Sequence, residues 1–320
     1  MTVARDPVVS RRRRMLVVAL QALVALALLI ALWRLVDGPE TAQLLAGARG
    51  EWVALSIAAL TLHTLLAALR WRRVAHGLGI TLDRREAASE YYLSQLVNAV
   101  VPGGVVGDAS RAVRSRQPAG LGAAGLAVVL ERLAGQYALL VVMGIAVTVT
   151  IIQPGGIDWP PAVVPIVIAV SVIAVALPAV IAAAAELPGR VGAGATSLRD
   201  AVRSAVVTRG AATSVAALSL GTTACILVAF AAAAAAVGAP LSVAATLAVV
   251  PVVLTTMLLP VTVGGWGVRE GAAVALLPLA GVSMSAALAA SILFGLLALA
   301  ASLPGIVPLW GRQGARAHRT

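Results

Sequence analysis

Pro102-Gly103-Gly104-Val105-Val106-Gly107-Asp108-Ala109-Ser110-Arg111 interrupts one apolar stretch, and 158 positions on Pro260-Val261-Thr262-Val263-Gly264-Gly265-Trp266-Gly267-Val268-Arg269 interrupts another. Each runs from a proline through a glycine-rich turn to an arginine nine positions later, and Val105 with Val263 and Gly107 with Gly265 also coincide. Proline removes a backbone donor and glycine loosens the chain, so a continuous helix does not run through either segment. The separation is close to half of the 320 residues, which divides the chain into two similar halves.

The flanking sequence is membrane material. The chain is 60% hydrophobic, only 12% charged and has a mean hydropathy of +0.98, against about 25% charged in soluble domains. A bilayer core of about 30 Å takes about 20 helical residues, and six apolar runs reach that length: Met15 to Val36, Glu51 to Leu69, Arg132 to Ile152, Pro161 to Ala185, Ala211 to Val237, and Met284 to about Trp310. Trp33, Trp52, Trp71, Trp159 and Trp310 lie near their ends, and Tyr91 and Tyr92 near the first break, where amphipathic rings act as interfacial anchors.

All 24 basic residues are Arg, set against 13 acids. They cluster between the apolar runs, which reads as topology and excludes nucleic acid as the partner. Placing the amino terminus in the cytoplasm puts 20 of the 24 inside, among them Arg11 to Arg14, Arg70, Arg72, Arg73, Arg190, Arg199, Arg203 and Arg209; Arg34 and Arg49 fall outside. Both termini are then expected in the cytoplasm, and the Arg-only, Ala-rich composition points to a bacterial plasma membrane. Ser10 to Arg14 resembles a twin-Arg export signal, but the 22-residue run after it has no small-residue cleavage site, which favours a retained anchor. Cys225 is the single cysteine and the three histidines are scattered, so neither a disulfide, a metal site nor a cofactor is expected. The longest loop, Glu186 to Gly210, is too short for a catalytic or nucleotide-binding domain.

Span, span, broken hairpin and span occur twice. The first hairpin, about 86–116, starts and ends among cytoplasmic arginines; the second, about 240–281, starts and ends outside. The expected fold is therefore all-α and polytopic, about six full transmembrane helices with two re-entrant broken-helix hairpins in a 3+3 inverted repeat. Its parts are a basic terminus 1–14, repeats over 15–152 and 153–310, and a tail 311–320. Matching Gly and Pro breaks in inverted halves point to a transport site between them.

Asp108, Arg111, Glu131, Arg132, Arg269 and Glu270 lie in or beside the breaks. A charge at the bilayer centre costs roughly 2.5 to 3.5 kcal/mol on insertion scales, so such residues pair or line a wet path. Neighbours on a helix point apart, so Glu131 with Arg132 and Arg269 with Glu270 are unfavourable pairs, while Asp108 with Arg132 is a plausible one. Two roles stay open together: ion pairs that hold the hairpins, and an anion site whose arginines grip a phosphate. Asn98 either joins that site or satisfies a broken helix end, and His63 is expected to be a hydrogen-bonded packing residue.

Leu69-Arg70-Trp71-Arg72, Tyr92, Asn98 through Arg111, Glu131-Arg132 and Pro260 through Glu270, in that order, resemble the lysylphosphatidylglycerol synthase transmembrane region family. It is also called flippase-like, and includes the membrane half of the multiple peptide resistance factor. Its pattern has a paired glycine before the aspartate, where this sequence has Val106-Gly107. Lipid-synthesising members carry a separate transferase domain with no counterpart in these residues. The resemblance implies lipid movement or an accessory role, without enzymatic activity.

The expected substrate-binding residues are Asn98, Pro102, Gly103, Gly104, Gly107, Asp108, Arg111, Glu131, Arg132, Pro260, Gly264, Gly265, Gly267, Arg269 and Glu270. The expected partners are membrane lipids: an anionic or zwitterionic phospholipid, or a polyprenyl phosphate. Two other readings remain open, a membrane-embedded polyprenyl-phosphate glycosyltransferase and a scaffold for a separately encoded lipid-modifying enzyme.

Overall fold

The computed structural model describes residues 7–101, 105–117, 119–153, 156–208, 210–258, 262 and 264–307. Arg5, Pro102, Gly103, Gly104, Arg209, Pro260, Val261, Val263, Trp310 and the tail arginines Arg312, Arg316 and Arg319 lie outside them.

Twelve α-helices follow one another among the described residues, and no strand occurs there. They are α1 (Pro7–Leu35), α2 (Gly38–Ala46), α3 (Gly50–Gly77), α4 (Arg84–Val100), α5 (Val106–Arg114), α6 (Gly120–Ile152), α7 (Val163–Ala184), α8 (Gly189–Val202), α9 (Ala211–Ala236), α10 (Val243–Thr255), α11 (Val268–Leu276) and α12 (Met284–Ser302). The protein is an all-α polytopic membrane protein. Helices stand at all six expected spans. Four of them, α3, α6, α9 and α12 with its 3-10 extension to Ile306, are long and apolar enough to cross a bilayer. Ala19–Leu35 with α2 makes a fifth, bent by 99°.

The centre is an antiparallel pair, α3 and α9. Arg49 N donates to the Ala236 carbonyl at 2.9 Å, Ser56 Oγ to that of Ala229 at 2.9 Å, and His63 Nδ1 to that of Thr222 at 2.9 Å. At the other end Arg73 Nε reaches Ser214 Oγ at 3.2 Å. The first three contacts recur every seven residues on both helices, the spacing that keeps two helices facing along one seam. The α9 end of that seam is alanine, buried from Ala232 to Ala236, which lets the backbones approach closely. His63 is the hydrogen-bonded packing residue expected of it.

Both hairpin regions are helix, break, helix. The first is α4 and α5, packed on α3 and α6; the second is α10 and α11, packed on α6, α9 and α12. Asp83 caps α4, its side chain accepting from Arg85 N. The Arg85 and Arg84 amides hold the Asp83 carboxyl below its usual range, so the cap is intact at neutral pH and is lost as pH falls through that lowered value. At the second break Gly264, Gly265 and Gly267 have φ of +57°, +79° and +85°, left-handed values that only glycine adopts freely. A Cβ on Gly264 would stand 3.6 Å from the Ala99 carbonyl, so the second break touches the end of α4.

Outward faces of α1 and α7, with Leu20, Leu23, Ile30, Ile166, Ile173 and Val175 exposed, suit lipid. The core lies between α9, α10 and α12, where the Phe230 and Phe294 rings are 5.2 Å apart.

The α1 helix takes in Arg11 to Arg14, because nothing before the apolar run breaks it. Three local expectations are corrected. The α6 helix starts at Gly120 and not Arg132, so Glu131 and Arg132 lie inside a helix. The loop Glu186 to Gly210 contains α8 and a π-helical turn, Arg203–Val207, seated on Gly77. Trp71 is fully buried and no interfacial anchor.

For orientation, single cysteines are placed at Gly50 and Arg199 in a Cys225→Ala background. An impermeant thiol reagent on intact cells should label the first directly and the second only after permeabilisation; the reverse pattern overturns the assignment.

Candidate functional site

Arg70 sits near the carboxyl end of α3, about 10 Å from Gly77 at 1.5 Å per residue, and Glu131 about 17 Å in from the start of α6. Both are buried. Arg70 donates from Nε and Nη2 to Glu131 Oε1 at 3.1 and 2.7 Å. Its Nη1 reaches Thr222 Oγ1 at 2.7 Å and Ser219 Oγ at 3.3 Å on α9. Gly135 makes the room: a Cβ there would stand 2.7 Å from Arg70 Nη2. Tyr91 of α4 donates its hydroxyl to the same Glu131 oxygen at 3.1 Å.

The other Glu131 oxygen takes Arg111 Nη2 at 3.3 Å, and that nitrogen also meets Asp108 Oδ1 at 3.1 Å. Ser94 Oγ donates to the same Asp108 oxygen at 2.9 Å, while Arg132 pairs with Asp108 Oδ2. The Arg111 guanidinium is 1% exposed and lies 4.5 Å from the Trp71 ring centre and 4.4 Å from that of Tyr91, a cation held between two π faces. Among the described residues its Nε and Nη1 are buried without a hydrogen-bond acceptor, as is Trp71 Nε1, and Asp108 Oδ2 is buried without a hydrogen-bond donor. One turn along α5, Arg114 pairs with Glu90.

Backbone geometry fixes this arrangement. Asn98 Oδ1 accepts from Gly107 N at 2.7 Å, so Asn98 closes the broken helix end. A Cβ on Gly107 would collide with the Ser94 carbonyl, and this close approach brings Asp108 to Ser94.

The second break carries a smaller cluster. Glu270 turns back to accept from Gly267 N at 2.6 Å, and its other oxygen pairs with Arg269. Arg269 also gives Nε to Ser291 Oγ and Nη2 to the Ser291 carbonyl, each at 3.1 Å. It too lies between rings, 5.0 Å from Trp266 and 5.4 Å from Phe294. Gly295 leaves space for it, since a Cβ there would strike its guanidinium. Ser291 is about 10 Å in from Met284. That end of α12 faces α2, where Thr41 Oγ1 lies 3.5 Å from the Ser285 carbonyl. The two clusters thus enter from opposite ends of the bundle.

The structure joins Asn98, Gly107, Asp108, Arg111, Glu131 and Arg132 in one cluster and Gly264, Gly265, Gly267, Arg269 and Glu270 around the other. Pro102, Gly103, Gly104 and Pro260 lie outside the described residues. The expected Asp108 to Arg132 pair forms. Arg269 and Glu270 also pair, against the neighbour rule, because at the first turn of α11 the carboxylate folds back onto Gly267 and faces its neighbour. Sequence reasoning missed Arg70, counted with Arg72 and Arg73 as a topology signal, and Trp71 and Tyr91, taken as interfacial. The signal was there: Arg49, Ser56, His63 and Arg70 form a polar stripe every seven residues along α3. A surface cleft of about 450 Å³ near Glu40, Gln43 and Arg49 lies at the other end of α3 and holds none of this chemistry.

Acidic and basic side chains buried at two broken helices define a helical membrane protein of the kind in which such groups pair with one another or line a wet path. This chain belongs to the lysylphosphatidylglycerol synthase transmembrane region family, whose model matches residues 18–305. No curated protein matches it.

Removing the carboxylate both arginines share leaves buried cations unpaired. Glu131→Leu is expected to destabilise the fold by about 3–5 kcal/mol, whereas Arg132→Gln, whose side chain is 45% exposed, should cost under about 1 kcal/mol. Denaturant titration of the purified variants in mixed micelles checks both; equal losses would contradict the burial argument.

Proposed function

We propose that this chain is a flippase-like protein of a bacterial plasma membrane that lets the head group of a phospholipid or polyprenyl-linked lipid cross between leaflets without changing it covalently. The observation that carries the reading is Arg111, a buried guanidinium with two nitrogens that have no acceptor among the described residues. Arg70, Arg111 and Arg132 outnumber Asp108 and Glu131 in its cluster. That imbalance, carried by the half-exposed Arg132 at the edge of a buried, balanced set, favours an anion, and the planar guanidinium suits phosphate oxygens.

The six helices at the expected spans are read as a 3+3 inverted repeat with both termini cytoplasmic. The antiparallel α3 and α9, and clusters entering from opposite ends, support this reading. The lipid phosphate enters at the breaks while the acyl chains stay in lipid. The carboxylates balance the arginines between passages, and the contact of the second break at Gly264 with the end of α4 at Ala99 separates the two sides.

The test is leaflet exchange of fluorescent phospholipids and a polyprenyl-phosphate analogue in proteoliposomes. Wild type should exceed the protein-free rate. The Arg111→Ala, Arg269→Ala double variant, checked for folding and insertion, should lose roughly tenfold or more, the size of a charge-assisted hydrogen bond. Unchanged exchange in an inserted double variant overturns the reading.

A further inference from the structure

The two breaks are alike in outline and different in what they leave over. Arg269 and Glu270 form a neutral pair, with Ser291 and Gly267 taking up the remaining contacts. Arg111 holds the same place after its break and lies between two rings in the same way, yet only its Nη2 has acceptors. Its Nε and Nη1, and Trp71 Nε1 on the ring it stacks against, are buried donors without one among the described residues. Arg70, Arg111 and Arg132 against Asp108 and Glu131 leave one positive charge.

We infer that the first cluster alone binds the lipid phosphate, one per chain, and that it selects a phosphodiester monoanion whose head group carries no amine; the inference rests on the transport reading above. A monoanion brings the cluster to neutrality and offers oxygens to Arg111 and Trp71. A phosphomonoester dianion leaves a buried negative charge, which costs more than it returns. A zwitterionic head group needs a carboxylate for its ammonium, and the acids here are already engaged. Glu131 Oε1 accepts from Arg70 and Tyr91, and Oε2 from Arg111. Asp108 Oδ1 accepts from Ser94 and Arg111, and Oδ2, without a hydrogen-bond donor among the described residues, is taken up by its ion pair with Arg132.

The test is isothermal titration of the full chain in an uncharged detergent with dihexanoyl phosphatidylglycerol, phosphatidylethanolamine and phosphatidic acid. The phosphatidylglycerol should bind at one equivalent and the other two about tenfold more weakly or worse. Arg111→Gln should abolish binding, and Trp71→Phe, which keeps the ring and removes the donor, should weaken it. Arg132→Gln, at a half-exposed position that leaves the fold intact, neutralises the cluster and should level the affinities for phosphatidylglycerol and phosphatidylethanolamine. Two equivalents, equal affinity of the wild type for the zwitterion, or a preference that survives Arg132→Gln overturns the inference. The titration needs no movement between leaflets. One-site selective binding with exchange at the protein-free rate therefore overturns the transport reading alone, while exchange with two equal sites overturns this inference alone.

Discussion

Glu131 ties the molecule together. Its two oxygens are shared by Arg70 of α3, Arg111 of α5 and Tyr91 of α4, and Arg70 extends the network to Ser219 and Thr222 of α9. One carboxylate inside α6 thereby joins the central helix pair to the broken hairpin. Burying such groups is costly, and well-packed apolar side chains would hold the same helices as firmly. The network is therefore better explained by what it does than by what it stabilises.

Glycine sets the distances. Gly107 lets α5 lie against the Ser94 carbonyl, and Gly135 and Gly295 leave room on α6 and α12 for Arg70 and Arg269. In each half, a small residue on a spanning helix makes room for a guanidinium. Glu131 precedes Gly135 by one turn as Ser291 precedes Gly295, so each half places an Arg acceptor and a gap on one face of its last span. At the second break Gly264 lies against Ala99 of α4, which fits the demand that irregular chain inside a bilayer not face lipid.

The helical class, the two breaks and the pairing of Asp108 with Arg132 were legible because hydropathy and the cost of unpaired charge in lipid are strong local signals. Arg70 was not, since an arginine beside Arg72 and Arg73 looks like any residue at a cytoplasmic helix end until the helix is rotated and its stripe seen. Trp71 and Tyr91 were misread for a similar reason: a ring near a helix end suits the interface unless a second element covers it, and α5 brings Arg111 over both. The bend into α2 is marked locally by Asp37, which caps that helix, and by Pro39 in its first turn, signals that apolar periodicity does not register. Arg269 with Glu270 shows the limit of a spacing rule at a first turn, where the capping carboxylate no longer follows the helix face.

The seven-residue stitching of α3 to α9 bears on what can move. Each polar group has its acceptor in one register, and the next register that offers an equivalent set lies seven residues away, about 10 Å along the axis. A smaller slide would strand buried donors at every step. The pair therefore behaves as a pin and not as a piston: it resists translation of one helix along the other.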